Sequence, residues 1–373
     1  MRIAILGIRG VPSGYSGYEA FAEEMGSRLV ERGHEVLVYC RRAHFTQRPP
    51  VYKGMRLIYL PSWETKELST FSHTFLAIWD VLFRKVDVAL ICNVANGPFC
   101  LISRLFGLKT AINVDGLEWL RPKWSRWGRR YFKFAAHAAI RLSHVIVTDA
   151  EAMRQYYRDT FGVDSVCIAY GANIETSTDP DIVRAYGLEP GRYYLIASRL
   201  VPDNNADLIV QAFNKVRTDK VLAIAGGAPY RNEFADRVRA LAGPQVRFLG
   251  HINDQRHIKE LHCNAYAYIH GHEFGGTNPA LLKALGFGNC VLALDTPFNR
   301  EVLDGAQGAE ARYGILYRKD VEELAAKIQQ VEDHPELQAA YARRAPERIR
   351  ERYTWEHITD QYEQLFRRMT GKV

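Results

Sequence analysis

Twice along this sequence, a series of short apolar runs alternates with glycine-bearing loops and amphipathic helix patterns. The first series opens with "RIAILG", passes through "IRGVPSGYSGYEA" and the helical "FAEEMGSRLVERG", and reaches a second run, "HEVLVYC". Apolar runs of this length read as strands covered on both faces. Strands that alternate with helices predict a parallel, doubly wound sheet. Further strands are expected at 56–60, 88–92, 110–114 and 144–149. The second series begins near Tyr193 with "YYLIAS", then a helix over 206–216, "KVLAIAGG", "EFADRVRALA" and "VRFLG". It ends with "AYAYIHG", a helix over 279–285 and "CVLALD". Between the two series the polar "GANIETSTDPD" reads as a linker or short hinge, and the last fifty residues are helical in pattern. The expected fold class is α/β: two Rossmann-like doubly wound domains facing a central cleft at the open ends of their sheets. A length of 373 residues agrees, being too great for one core.

Bulk properties narrow the functional classes. Six cysteines are scattered through mostly apolar contexts, so buried reduced thiols are expected, and no zinc spacing is present. The N-terminus runs straight into a strand, with too short an apolar core for a secretion signal, and no apolar stretch is long enough to span a bilayer. A cytoplasmic protein is the resulting expectation. Net charge is +7, which suits anionic small molecules, anionic lipid surfaces or nucleic acid. Its distribution is more telling: "WLRPKWSRWGRRYFKF" interleaves six Lys/Arg with six aromatics, and no carboxylate occurs from Trp119 to Thr148. Such a segment can touch anionic headgroups, be a solvated basic helix, or stack on single-stranded nucleic acid. No nucleic-acid module accompanies it, so nucleic acid is not expected as a partner.

Several loops carry candidate chemistry. In "GIRGVPSGYSGYE" the spacing departs from a dinucleotide fingerprint, and "VYCRR" stands where a ribose-holding acid belongs, which argues against a dinucleotide cofactor. Gly14 and Gly17 flank Tyr15 and Ser16 just before a helix, so backbone amides there can meet a phosphate or sugar oxygen; a tight surface turn explains them equally. In "HGHEFGGTNPALLKALG" the amides from Gly275 through Gly276 and Thr277 to Asn278 would lie at the positive end of a helix that begins with Pro279. A diphosphate suits that position, and a plain helix cap is the alternative. Arg199, just past a strand end in "ASRLVPDNNADL", can pair with phosphate oxygens or be an ordinary surface arginine. In "INVDGLEWLRPKW" Asp115 and Glu118 follow a strand end, where either can hold acceptor hydroxyls or act as a base, although an Asp-Gly turn also accounts for Asp115.

Taken together, these segments resemble the retaining glycosyltransferases of family 4, which have the two-lobed GT-B architecture. The likeness runs over nearly the whole chain. It rests on the glycine loop with "ERGHEVLVYCR", on "VDGLEWLRPKW", "YLIASRLVPDNNADLIVQAF", "YIHGHEFGGTNPALLKALGFGNCVLALDTPFNREVL" and the terminal "RYTWEHITDQYEQLF". The "GGTNP" and "DGLEW" forms look most like the rhamnosyltransferase-like branch of bacterial capsule and exopolysaccharide assembly. The resemblance implies an acceptor-binding domain over 1–175, a nucleotide-sugar donor domain over 190–355, and a last helix, 356–373, that crosses back to the first. It also implies a nucleoside-diphosphate sugar as donor, a lipid-linked saccharide as acceptor, a peripheral position on the inner membrane, and no cofactor. Asp-x-Asp of the usual kind near a strand end is missing, so no metal is expected.

In such enzymes an arginine and a lysine five residues later grip the donor diphosphate. Here Arg199 matches, and the lysine position is Asn204. Two glutamates normally hold the donor sugar and the ribose; their places fall on Gly275 and Lys283, with Glu273 as a possible substitute for the first. An ammonium in place of a carboxylate exchanges an acceptor for a donor and adds positive charge. Gly226 and His272 complete the implied donor site. The implied catalytic set is Asp115, Glu118 and Arg199. The departures at 204, 275 and 283 also favour a second reading, a degenerate GT-B protein that binds a nucleotide sugar without turning it over.

Overall fold

The computed structural model describes every residue except 15–16, 66–67, 115, 122–123, 228–232, 306–307, 309–311 and 373. The chain forms two compact units, one made of Met1–Tyr170 with Trp355–Val373, the other of Gly171–Thr354.

In the first unit the chain runs through β1 (Arg2–Leu6), α1 (Gly17–Glu31), β2 (Glu35–Arg41), β3 (Val51–Tyr52), β4 (Met55–Leu60), α2 (Leu68–Phe83) and β5 (Val88–Cys92). It continues through α3 (Cys100–Leu105), β6 (Lys109–Asn113), α4 (Arg126–Leu142), β7 (Val145–Thr148), α5 (Glu151–Phe161) and β8 (Val166–Cys167). The strands make one eight-stranded sheet in the order β3-β4-β2-β1-β5-β6-β7-β8, parallel except for the β3–β4 pair. Central β1 aligns Ile3 with both Val36 and Val88, and Ile3 to Leu6 are fully buried, as an apolar run between two helical layers must be. The chain winds outward from β1 to β4 and then returns to β5 on the other side of β1, so the β1–β5 seam is a topological switch point.

The second unit contains β9 (Tyr193–Ala197), α6 (Ala206–Phe213), β10 (Val221–Ala225), α7 (Glu233–Leu241), β11 (Val246–Gly250), α8 (Gln255–Cys263) and β12 (Ala267–His270). Then come α9 (Pro279–Gly286), β13 (Val291–Leu294), α10 (Pro297–Leu303), β14 (Ile315–Tyr317), α11 (Val321–Asp333) and α12 (Pro335–Arg348). Its six parallel strands lie in the order β11-β10-β9-β12-β13-β14, placing the switch point between β9 and β12. Tyr194, Ile196, Leu222, Ile224, Ile269 and Leu292 from these strands form the centre of the core.

The last helix, α13 (Trp355–Thr370), belongs to the first unit. Its buried Trp355, Ile358, Tyr362, Leu365 and Phe366 recur at helical spacing. Tyr362 packs on Phe21 of α1, with ring centroids 5.2 Å apart, and its hydroxyl accepts from Asn113 Nδ2 at 3.0 Å. The polar flank of the helix pairs with α1: Arg28 meets Glu356 at 2.8 Å, and Arg32 meets Asp360 at 2.7 Å and Glu363 at 2.9 Å.

One expectation changes here. "GANIETSTDPD" is no free linker, because fully buried Glu260 of α8 fastens it. The Glu260 carboxylate accepts from the Ser177 hydroxyl at 2.5 Å, the Thr178 amide at 2.8 Å and the Asp179 amide at 3.1 Å. The polar composition that looked like slack is a set of donors for one buried charge. The helix expected over 206–216 also stops early, at Phe213. All six cysteines are free, and four of them, Cys40, Cys92, Cys100 and Cys290, are buried.

Candidate functional site

The two loops that leave the β9–β12 seam interlock. After β9 the chain turns through Arg199 into a short 3-10 turn (Pro202–Asn204), then into Asn205, whose left-handed backbone (φ 51°) redirects it into α6. After β12 it runs from Gly271 to Asn278, the residue that caps α9. Glu273 N–H donates to the Asp203 carbonyl at 3.0 Å, and Asn205 Nδ2 donates to the Gly271 carbonyl at 2.8 Å. Only glycine fits at 271, since a β-carbon there would lie 2.3 Å from the Asn204 carbonyl oxygen. Gly226, after β10, is equally confined: at φ +149° a β-carbon would meet the Ser198 oxygen at 1.9 Å.

Asn204 is the hinge between the two loops. Its Nδ2 donates to the Arg199 carbonyl at 2.7 Å, which leaves its Oδ1 to accept from His272 Nδ1 at 2.8 Å. The imidazole is thereby held as the Nδ1–H form and in a fixed orientation. Asn299 of α10 supports the same loop, donating from Nδ2 to the His272 carbonyl at 3.0 Å and to the Leu294 carbonyl at 2.9 Å. Glu273 is paired with Lys319 at 2.6 Å. Below the loop, burial and neighbouring His272 push the His270 imidazole well down, so it is a neutral core residue. The Arg199 side chain is exposed and makes no ion pair among the described residues.

The start of α9 adds backbone donors. Asn278 Oδ1 accepts from the Ala280 amide at 2.9 Å and Pro279 occupies the first turn, so the cap expected from the sequence is present. That cap engages a later amide. The Gly275 and Gly276 amides have no acceptor among the described residues. Both glycines are buried, and Thr277 beside them is 3% exposed. Gly275 has φ +130°, a backbone state that a glutamate side chain rarely tolerates. The glutamate that the sequence resemblance implies at 275 thus has no replacement there, and Glu273, two residues earlier, is paired with Lys319. Lys283 is half-buried and donates to Gln255 Oε1, at the start of α8, at 3.2 Å.

The unit thus brings together Arg199, Asn204, Gly226, His272, Glu273, Gly275, Gly276, Thr277 and Asn278 at the carboxyl edge of one sheet, with Lys283 one turn into α9. Sequence reasoning missed Lys319 and Asn299. Asn299 sits in "LDTPFNREVL", and its role as a buried bridge (2% exposed) has no local signature. Among the described residues no cluster of three metal-ligating side chains gathers.

The remaining candidates lie in the first unit. Gly17 begins α1, and Gly14 is exposed with open space around it, while Tyr15 and Ser16 between them are outside the described residues. Asp115 is outside them as well. Glu118 is corrected: it is 9% exposed, pairs with Arg121 at 3.0 Å and accepts from Trp124 Nε1 at 2.6 Å. Both oxygens of that carboxylate are engaged, so it braces the turn and is not a free base. The basic aromatic segment divides in the same way. Trp119, Arg121 and Phe132 are buried, whereas Arg126, Trp127, Arg129, Arg130, Lys133 and Phe134 are exposed.

Comparison with known proteins bears on the fold and on the class of protein. Residues 180–348, within the second unit, match the family described as "Glycosyl transferases group 1". Residues 88–173 match a domain of unknown function, DUF1972. A phosphatidyl-myo-inositol mannosyltransferase of Mycolicibacterium smegmatis is 26% identical over 229 residues, or 60% of this chain. That alignment spans 56% of the relative's own length. Among solved structures, sucrose-phosphate synthase from Thermosynechococcus elongatus superposes with a TM-score of 0.81 at 15% identity, covering 100% of both chains. Anabaena Alr3699/HepE in complex with UDP superposes at 0.76 with 15% identity, covering 98% of this chain and 99% of its own. At such identities the structural likeness speaks for the fold, which is GT-B. The fold and the family match together support a GT-B glycosyltransferase.

Proposed function

We propose that this protein is a retaining glycosyltransferase of family 4. It moves a sugar, rhamnose in preference to a hexose, from a nucleoside-diphosphate donor to a lipid-linked saccharide. The reaction takes place at the cytoplasmic face of the inner membrane and serves a cell-surface polysaccharide. The observation that carries this reading is the β9–β12 switch point, where the interlocked loops carry Arg199, whose guanidinium has no ion pair among the described residues, and the Gly275 and Gly276 amides, which have no acceptor among them, ahead of a helix start. Departure of a nucleoside diphosphate builds negative charge on the leaving phosphate while positive charge develops at the anomeric carbon. Fixed donors at the leaving group stabilise that charge without reorganisation. The transfer proceeds by positioning and electrostatics, with no covalent sugar–protein intermediate and no divalent metal. Support for the donor class comes from Anabaena HepE, solved with UDP. Support for a lipid-borne acceptor comes from the M. smegmatis relative, whose name specifies phosphatidyl-myo-inositol.

Incubation of radiolabelled dTDP-, UDP- and GDP-sugars with the protein and a membrane extract tests the reading. Label should enter a lipid-extractable product from one donor, with the anomeric configuration of the donor kept. A second reading, a degenerate protein that binds the nucleotide sugar without transfer, is favoured by Gly275 and by Lys283 held to Gln255. Stabilisation by a nucleoside diphosphate without turnover of any donor would select it.

A further inference from the structure

The first unit carries an apolar surface that glycosyl transfer does not explain. Many large hydrophobics on or beside three helices are open to solvent, among them Phe75, Leu76 and Phe83 of α2, Leu101 and Leu105 of α3 with Phe106 after it, and Phe134 of α4. Leu105 is 73% and Phe83 is 83% exposed, which is unusual for so many such side chains in one region. A strip of ring contacts joins three of them, Phe106, Phe75 and Phe134. Phe106 meets Trp79 with ring centroids 5.5 Å apart, Trp79 meets Phe75 at 6.4 Å, and Phe75 meets Phe99 at 6.3 Å. From there Phe99 meets Phe71 at 6.0 Å, Phe71 meets Tyr131 at 4.9 Å, and Tyr131 meets exposed Phe134 at 6.3 Å. This unbroken line of rings ties α2 to α4, and Arg104 of α3 donates to the Arg141 carbonyl at the end of α4 at 3.0 Å.

Around α3 and α4 the charge beside the strip is mostly of one sign. From Val88 to Thr148 the only carboxylates are Asp115 and Glu118, against nine Lys/Arg. Glu118 is buried in its pair with Arg121. On α2 the carboxylate of Asp80 is taken up by Arg84 and by the Tyr39 hydroxyl at 2.7 Å. Arg126, Arg129, Arg130 and Lys133 stand exposed on α4, and Arg130 lies over the Trp127 ring at 5.3 Å. Apolar side chains bordered by cations, with a tryptophan at the edge, match the layering of an anionic bilayer: acyl boundary, headgroups, aromatic belt.

We propose that the α2–α3–α4 face of the first unit is a monotopic membrane-docking surface, in which Leu105, Phe106 and their aromatic neighbours enter the acyl boundary while Arg126, Arg129 and Arg130 hold anionic headgroups. The inference deepens the peripheral-membrane element of the proposed function, and it assigns insertion to α2 and α3, outside the basic aromatic segment. It stands on this surface alone and does not depend on sugar transfer.

Co-sedimentation with phosphatidylcholine vesicles, with or without phosphatidylglycerol, at low and high salt tests it. The parent protein should bind the phosphatidylglycerol vesicles and keep a bound fraction in high salt, where charge alone is screened. Leu105→Ser/Phe106→Ser should lose that salt-resistant fraction, with partition lowered about tenfold or more. Arg126→Gln/Arg129→Gln/Arg130→Gln should lower partition to anionic vesicles about a hundredfold. Because the substituted side chains are exposed, each variant should keep the parental unfolding temperature without vesicles. An unchanged salt-resistant fraction in Leu105→Ser/Phe106→Ser would overturn the proposal. So would self-association, removed by Phe106→Ser, in a protein that binds neither vesicle. Nucleoside-diphosphate binding, measured without vesicles, separates the two ideas: docking with no nucleotide response would sink the transferase reading and leave this one intact.

Discussion

Gly271→Ala tests whether the two loops at the β9–β12 seam act as one site. The added methyl would fall 2.3 Å from the Asn204 carbonyl oxygen and 3.0 Å from Ile209 Cδ1, where contacts below 3.4 Å are already tight. The loops must separate by about 1 Å, since a backbone oxygen cannot rotate away as a side-chain tip can. Overpacking of this kind costs about 1–3 kcal/mol. The Asn205–Gly271, Asn204–His272 and Glu273–Asp203 hydrogen bonds lie across the gap, and weakening one or two of them adds about 1 kcal/mol. Urea unfolding should therefore show a loss of about 2–4 kcal/mol. A displacement of about 1 Å in a binding constellation can also cost up to about a hundredfold. Calorimetric titration with the preferred nucleoside diphosphate, below the unfolding transition, should show at least a tenfold weaker affinity. Gly314→Ala is the control: its methyl would meet the Val291 oxygen at 2.9 Å beside β14, destabilising the same unit without touching the loops. Refutation is simple to recognise, namely a Gly271→Ala protein that is less stable yet binds the nucleotide like the parent.

Other outcomes follow from the same structure. Glu260 is buried, which alone would raise its pKa, yet the bonds from Ser177, Thr178 and Asp179 hold it down to about 2, from an ordinary 4.5. A depressed folded value means stability that is present above the unfolded pKa and lost as pH falls from 4.5 toward 2. Glu260→Gln should cost about 3 kcal/mol at neutral pH and flatten that acid limb, as read by urea unfolding across the window. Asn204→Ala removes both the Arg199 carbonyl and His272 contacts, so it should destabilise by about 2 kcal/mol and lower kcat/KM. Lys283→Glu removes a cation near α9 and should weaken nucleoside-diphosphate binding about tenfold in calorimetric titration. Unchanged affinity would leave Lys283 without a role in the site.

Much of the fold was legible because the strands are continuous apolar runs and the helices carry their own stop signals. Gly33, at φ +82°, ends the first helix where the pattern predicts. The proposed donor loops were legible for a related reason. Two adjacent glycines ahead of Asn-Pro have few structural uses, and the cap at Asn278 is one of them. What escaped depends on the approach of residues distant in sequence. Glu118 looked like a candidate base until Arg121 and Trp124 were seen to occupy it, and "GANIETSTDPD" looked slack until Glu260 appeared beneath it. Asn299, in α10, and Lys319, in the loop after β14, lie 27 and 46 residues along the chain from His272 and Glu273, which they contact. No local pattern announces such partners. The exposed strip on α2 and α3 was missed because apolar residues recur all along "LSTFSHTFLAIWDVLF", and only its packing shows which of them remain uncovered.

Isothermal titration of the protein and its Arg199→Gln variant with UDP, dTDP, GDP and ADP bears most directly on the anion-binding role of the β9–β12 seam. Arg199 is exposed, so the variant should fold as the parent does. One nucleotide should bind the parent, and its affinity should fall about ten- to a hundredfold in the variant, the worth of a charge-assisted hydrogen bond. Absence of binding by every nucleotide at saturating concentration, or equal affinity in both proteins, would contradict the account.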